Sequence, residues 1–228
     1  VNFRDFIPES YIPAIITASV ALFAAVGAQF LNNWLTYRRE NKKYKNEVYE
    51  KFISEHLIDI LAYPRALTRL MSEKDIKKEV NISKIIDDMF KKIHYGDKRL
   101  QAAFLNYKTI RYYTENNWAE IEISSQFRIL YYFLLYSNEI FEKIGFKLDT
   151  DVKSQLKSTI KEYAFLYIYT EKLGYEEAKS KLIGINRMYS KVLENFPLKD
   201  FEKKEHGQII QELDKAWDTF MEEMKEAQ

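Results

Sequence analysis

The chain has 228 residues, 46% of them hydrophobic and 30% charged, which supplies apolar material for a core and argues against a disordered chain. It contains no cysteine, so disulfides, cysteine-ligated zinc, thiol nucleophiles and lipidated cysteine are excluded, and a net charge of +1 carries no global signal for nucleic acid. Six glycines and four prolines are too few for the turns of an all-β or α/β fold, and the composition predicts an all-α protein built from long helices.

The first element carries the strongest signal. Residues 11–37 hold no charge, and 11–31 are predominantly apolar. As a helix those twenty-one residues extend about 31 Å, against roughly 30 Å of bilayer hydrocarbon. Pro13 lies near the start, where its missing N–H costs little, and the hydroxyls of Thr17 and Ser19 can bond back to the preceding turn. Tyr11 at one end, with Trp34 and Tyr37 at the other, suits the headgroup layers. The sequence therefore predicts a short extracytoplasmic tail over 1–10 and a transmembrane helix over 11–35. A cleavable signal peptide is the main rival, because Val26-Gly27-Ala28 places small residues ahead of a cut before Gln29. Against it, Arg4 is outnumbered by Asp5 and Glu9 in the first ten residues, whereas signal peptides start positive and have a shorter apolar run.

After the apolar segment comes "YRRENKKYK", in which Arg38, Arg39, Lys42, Lys43 and Lys45 face only Glu40, a net +4 that leaves −2 for residues 46–228. Basic flanks stay on the cytoplasmic side, so the expected topology is a single pass through the cell membrane, N-terminus outside and C-terminal domain cytoplasmic. The five basic residues are also the expected contacts to anionic lipid headgroups, worth about 1 kcal/mol each near the surface. A basic juxtamembrane helix is predicted over 36–63.

Alanines in the apolar segment are not scattered. Ala14, Ala21 and Ala28 fall at heptad position d, and Ala18 and Ala25 at position a, so five of the six alanines in residues 12–28 share one stripe. In lipid, helices associate where small residues let backbones approach, and a 3.5-residue period implies a left-handed crossing near about +20°. The stripe predicts self-association, with Asn32 at the next a position able to pair with its copy. Arg39 and Lys42 then occupy the heptad, and their repulsion should end close pairing near the membrane surface.

The remaining residues, 64–228, predict a helical bundle. The juxtamembrane helix carries Val48, Phe52, Leu57 and Ile60 and should break or kink at Pro64, where a second helix begins. Further helices are expected over 83–95, stopped by Gly96, and over 98–114, followed by a polar turn at "TENN". The stretch from Trp118 to Ile144 is the core candidate, since "ILYYFLLY" is apolar or aromatic all round. Bracketed by Arg128 and Glu139, it is too short for a second span. Helices over 150–173, 175–196 and 199–226 complete the chain, the last interrupted near Gly207. Val152, Leu156, Ile160, Tyr163, Tyr167 and Thr170 mark the inward face of the first of these.

The sequence supports no catalytic site, metal site or cofactor. Its histidines, His56, His94 and His206, fall in no HExxH or Glu-x-x-His pattern. His56 and Asp59 suggest a surface hydrogen bond, His94 a helix end, and His206 a solvated position. Phosphate loops, dinucleotide fingerprints and nucleophile elbows are absent, and adjacent acids such as Glu176–Glu177 and Glu222–Glu223 diverge by about 100° on a helix. The aromatics of "IRYYTENNW" and "EYAFLYIYTE" have no basic patch beside them, which favours core or protein contacts over nucleic acid. One span, a polybasic collar and a helical body together resemble the layout of membrane proteins from bacteria and their mobile elements, some of them anti-phage effectors. That likeness is one of architecture and transfers no site. The expected function is a membrane-anchored helical protein acting through self-association and an unidentified protein partner. The alternatives are a passive scaffold or tether, and a membrane-bound enzyme with a dispersed site.

Overall fold

The computed structural model describes residues 8–69, 81–112, 118–188 and 190–226. The described residues are predominantly helical, with no strand among them, and the chain divides into two compact units, Val1–Asn46 and Glu47–Gln228.

In the first unit a short 3₁₀ turn, Glu9–Tyr11, leads into the long helix α1, Ile12–Val48. Pro13 falls in its first turn, where no intrahelical N–H is required. The Thr17 hydroxyl donates to the Pro13 carbonyl at 2.8 Å, so a polar group within the apolar run is satisfied by its own helix. None of the most apolar 18-residue window of this helix is buried by protein.

Near the start of the second unit, directly after the last residues of α1, comes a widened turn. Residues Tyr49–Ile53 are π-helical, and the Ser54 N–H donates to the Tyr49 carbonyl. The extra residue in that turn lets adjacent Phe52 and Ile53 both point into the core. Lys92 pins the turn from outside, its Nζ donating to the Lys51 carbonyl at 3.0 Å and to the Glu55 carboxylate at 2.6 Å.

Helix α2 then runs Ser54–Arg69 and continues past Pro64. The expected break is not there, nor is a separate helix beginning at Pro64. Proline lacks the N–H that would bond the Ile60 carbonyl four residues earlier. The Tyr163 hydroxyl supplies the missing donor at 2.7 Å, from a side chain that is fully buried. A tertiary hydrogen bond thus replaces the helical one, and the helix continues. The remainder of the expected second helix and most of "KDIKKEVN" lie outside the described residues.

Helix α3, Ile82–Phe90, is capped by Asn81, whose side chain accepts from the Lys84 N–H at 2.9 Å. It ends before Gly96, because a turn and a 3₁₀ segment, Ile93–Tyr95, intervene. Helix α4, Lys98–Ile110, is capped by Asp97 through the Leu100 N–H at 2.9 Å. The "TENN" turn lies outside the described residues.

Helices α5, Ala119–Ile144, and α6, Thr150–Leu173, form the centre of the unit and pack side by side. Their antiparallel register is shown by the Ser124 hydroxyl, near the start of α5, donating to the Tyr167 carbonyl near the end of α6 at 3.1 Å. Gly145 closes α5 in the left-handed region, φ 72°, with the Phe146 N–H bonding back to the Phe141 carbonyl at 3.0 Å. Every residue of "ILYYFLLY" is buried except Tyr132, which is half-buried. Within this core Phe52 meets Phe133 edge-on at 5.4 Å, and Phe165 stacks on Tyr169 at 4.0 Å. The inward face expected for α6 is buried from Leu156 to Thr170, although Tyr167 is half-buried and Val152 is exposed.

After Gly174, the expected helix over 175–196 is described as α7, Tyr175–Met188, and α8, Ser190–Asn195, and residue 189 between them lies outside the described residues. Helix α9, Leu198–Lys203, and helix α10, His206–Glu226, are divided at Lys204, whose backbone is extended. Gly207, the expected interruption, lies inside the first turn of α10. Arg99 braces this arrangement: its guanidinium meets Asp97 at 2.9 Å, Glu202 of α9 at 3.0 Å, and Glu139 of α5. Ion pairing raises its pKa despite the opposing effect of burial.

Candidate functional site

The residues singled out in the apolar segment lie on α1. At 100° per residue, Ala14, Ala18, Ala21, Ala25, Ala28 and Asn32 fall within an arc of about 80°. All six are exposed, and the bulky Phe23 and Phe30 are about three-quarters exposed. Arg39 and Lys43 continue the line of the stripe, and Arg38, Lys42 and Lys45 lie together on a flank. The Arg38 guanidinium sits over the Trp34 ring at 5.6 Å, an i,i+4 contact that pairs a basic side chain with an interfacial aromatic.

In the second unit the structure assembles a polar cluster that sequence reasoning did not find. Arg128 and Tyr132 are one turn apart on α5, and Tyr167 and Glu171 are one turn apart on α6. The Arg128 guanidinium lies over the Tyr132 ring at 5.7 Å and the Tyr167 ring at 5.5 Å. Its Nε is buried without a hydrogen-bond partner, and no carboxylate of the described residues approaches it within 4.0 Å. Glu171, the acid whose field reaches it, is taken by His206, Nδ1 to Oε2 3.1 Å. The His206 ring also stands edge-on to Tyr167 at 5.0 Å, so His206 is paired and packed rather than solvated. The neighbouring Tyr131 carries a hydroxyl that is buried and unpartnered, within the fields of Glu202, Tyr132, Arg99 and Tyr167. Burial pushes the Tyr167 phenol up to about 12, partly offset by Arg128.

Comparison with protein-family models, curated proteins and solved structures returns no match.

No group of three or more His, Asp or Glu among the described residues is placed to hold a metal ion. A half-open cleft of about 500 Å³ between α2 and α6 is lined by Ile58, Leu61, Ala62, Ala66 and Val152, with Arg65 and Gln155 as its polar members. With the Gln155 amide oriented so that its oxygen faces Arg65, that oxygen accepts from the guanidinium.

His56 departs from the expected surface bond to Asp59. It is buried, with Phe52 and Phe133 edge-on at 6.4 and 6.5 Å, and its Nε2 has no hydrogen-bond partner. Burial lowers its pKa, against the pull of Glu55, whose Oε2 is 4.0 Å away; Lys92 lowers it further, while Asp88 and Asp59 raise it. The unfolded chain, with an ordinary histidine pKa of about 6.5, takes up the proton first as pH falls. Stability is therefore lost as pH drops through about 6.5. His56→Phe should flatten the fall in stability between about pH 7 and pH 5 by on the order of 1 kcal/mol, measured by urea unfolding at each pH. An identical fall in both proteins would show that His56 does not titrate on unfolding.

Sequence alone contained a partial signal for the Arg128 cluster, an arginine at the edge of an apolar run with Tyr132 at i+4. Nothing in the pattern told that Tyr167 and His206 would meet it, because inter-helix register is not local.

Proposed function

We propose that the protein is anchored by α1 as a single-pass membrane protein, with its helical unit cytoplasmic, and acts through self-association and a protein partner. One observation carries the reading: among the described residues, the most apolar 18-residue window is covered by no protein at all. A soluble helix of that length and composition would be buried, whereas lipid covers it without a partner. The +4 collar after it supports the orientation and contact with anionic headgroups through Arg38, Arg39, Lys42, Lys43 and Lys45. The alanine face supports self-association, since small residues on one side of a helix permit the close backbone approach that drives pairing in lipid.

Membrane effectors of bacteria or mobile elements, including anti-phage proteins, are the class this layout fits. Clustering of the helical unit through α1, or disturbance of the bilayer by the clustered spans, would be their means of action.

A reporter fused to the C-terminus is expected to behave as cytoplasmic, and a periplasmic or extracellular signal would reverse the orientation. In a membrane two-hybrid assay the pair Ala18→Ile and Ala25→Ile should reduce association severalfold, while Ile15→Leu and Val20→Leu leave it unchanged. Equal behaviour of both pairs would reject the alanine interface. Growth arrest on overexpression that requires residues 11–35 would favour an effector over a passive tether.

A further inference from the structure

Lys92 ties two parts of the second unit together. Its Nζ donates to the Lys51 carbonyl at 3.0 Å and to both Glu55 carboxylate oxygens at 2.6 Å, which joins the turn after α3 to the π-helical turn. Glu55 supplies the opposite charge that holds the ammonium over that carbonyl. The preceding carbonyl, of Glu50, accepts from the Ser54 hydroxyl at 2.8 Å, so two successive carbonyls of the widened turn draw donors from side chains. All of these groups lie in the second unit, so their chemistry does not depend on where α1 resides.

His56 stands beside this tie. Its ring packs on Phe52 and Phe133, and its buried Nε2 has no hydrogen-bond partner. Glu55 Oε2, an oxygen that Lys92 holds, is 4.0 Å from that nitrogen, too far for a hydrogen bond. The other charged groups whose fields reach the ring are Asp59 of α2, Asp88 of α3 and Lys92 itself. Asp88 is engaged by Lys91 at 2.7 Å, and Asp59 is exposed one turn further along α2. From the π-helical turn, Lys51 Nζ is paired with Glu47 at 2.7 Å, and α5 presents the apolar Phe133. Tyr95, beyond Phe52, donates to Glu47 at 3.0 Å.

One proton from solvent converts the neutral imidazole into a cation with two N–H donors. A buried cation needs a partner, and the nearest carboxylate is the one that holds Lys92. The same cation repels the Lys92 ammonium, so both effects loosen the tie. We propose that protonation of His56 is a switch: the imidazolium takes the Glu55 carboxylate, Lys92 leaves the Lys51 carbonyl, and the turn after α3 parts from the π-helical turn. The opening is local, because the Tyr95–Glu47 bond and the buried Phe52 and Ile53 do not depend on Lys92. Burial keeps the ring neutral until the pH lies below the ordinary histidine range, so the tie is closed at neutral pH. Glu55 stays ionised throughout, since its bond to Lys92 lowers its pKa.

The test uses the full chain in neutral detergent micelles, labelled with ¹³C-carbonyl lysine and ¹⁵N-phenylalanine. Lys51–Phe52 is the only Lys-Phe step in the sequence, so this labelling reports on the very carbonyl that Lys92 bonds. The His56 ring is followed in parallel by its ¹⁵N shifts in a histidine-labelled sample, with His56→Phe assigning it. As the pH is lowered from about 7.5 to about 5, both signals should move together with one midpoint below about 6.5. His56→Phe should keep the Lys51 carbonyl at its neutral-pH position over the whole range. Lys92→Met keeps the stem and loses the ammonium, so its carbonyl should sit at the low-pH position at every pH while His56 still titrates. Should that variant fail to fold, the unaltered chain and His56→Phe decide between the outcomes. A Lys51 carbonyl that ignores the titration of His56 in the unaltered chain would overturn the switch. So would the same movement in His56→Phe, or a collapse of shift dispersion across the second unit at that midpoint, which is global unfolding.

Discussion

The double substitution Phe23→Lys and Val26→Lys is expected to remove the chain from membranes. Both positions lie near the middle of the apolar run, both side chains are exposed, and neither touches the alanine stripe. A lysine at the centre of a span costs about 2.5–3.5 kcal/mol on insertion scales, so two together oppose insertion by about 5–7 kcal/mol. The fraction of protein that sediments with membranes after alkaline carbonate should fall from nearly all to background. Tyr37→Lys, outside the apolar core, should leave it unchanged. The second unit has its own core, so its thermal unfolding should be the same in every variant. If the unaltered chain itself washes off in carbonate, α1 is not a span. A mature N-terminus at Gln29, read by intact mass, would instead show that the segment is a signal peptide.

How much of this protein is legible in its sequence depends on whether the information is local. The helical class, the apolar segment and its flanks depend on composition and short windows, and they were legible. So was the burial of "ILYYFLLY", because an apolar surface on every side leaves no face for water. Helix ends were legible where a glycine closes the helix, as at Gly174, and misleading where a non-local contact overrides the rule. Pro64 signals a break by every local criterion, yet α2 continues because Tyr163, about a hundred positions away, donates to the freed carbonyl. The same holds for the polar groups. His206 sits in a charged stretch that suggests solvent, and only the packing of α10 against α6 brings it to Glu171 and Tyr167. His56 looks like a surface residue beside Asp59 until the π-helical turn at Tyr49–Ile53 resets the register of the residues after it. Self-association through the alanine stripe is an intermolecular property, so a single chain shows only that the residues share a face.

The Tyr163–Ile60–Pro64 arrangement offers the clearest energetic test of the fold. Tyr163→Phe removes one oxygen and strands the Ile60 carbonyl in a buried position, which should cost about 1–3 kcal/mol of stability. Pro64→Ala restores the helical N–H to that carbonyl and by itself should be close to neutral, since the gained bond competes with the tyrosine already there. Combined, the two changes should not add. With alanine in place of the proline the carbonyl has a donor within α2, and loss of the Tyr163 hydroxyl no longer leaves it orphaned. The double variant should therefore recover at least about 1 kcal/mol relative to the sum of the singles, read as a coupling energy from urea unfolding. Additive losses would mean that the hydroxyl does not stand in for the missing amide, and that α2 passes Pro64 for some other reason. The size of the coupling also tests whether Tyr163 acts through hydrogen bonding or only by filling space. Phenylalanine preserves the ring that packs on Phe127 at 6.3 Å, so packing alone predicts almost no loss in the single variant.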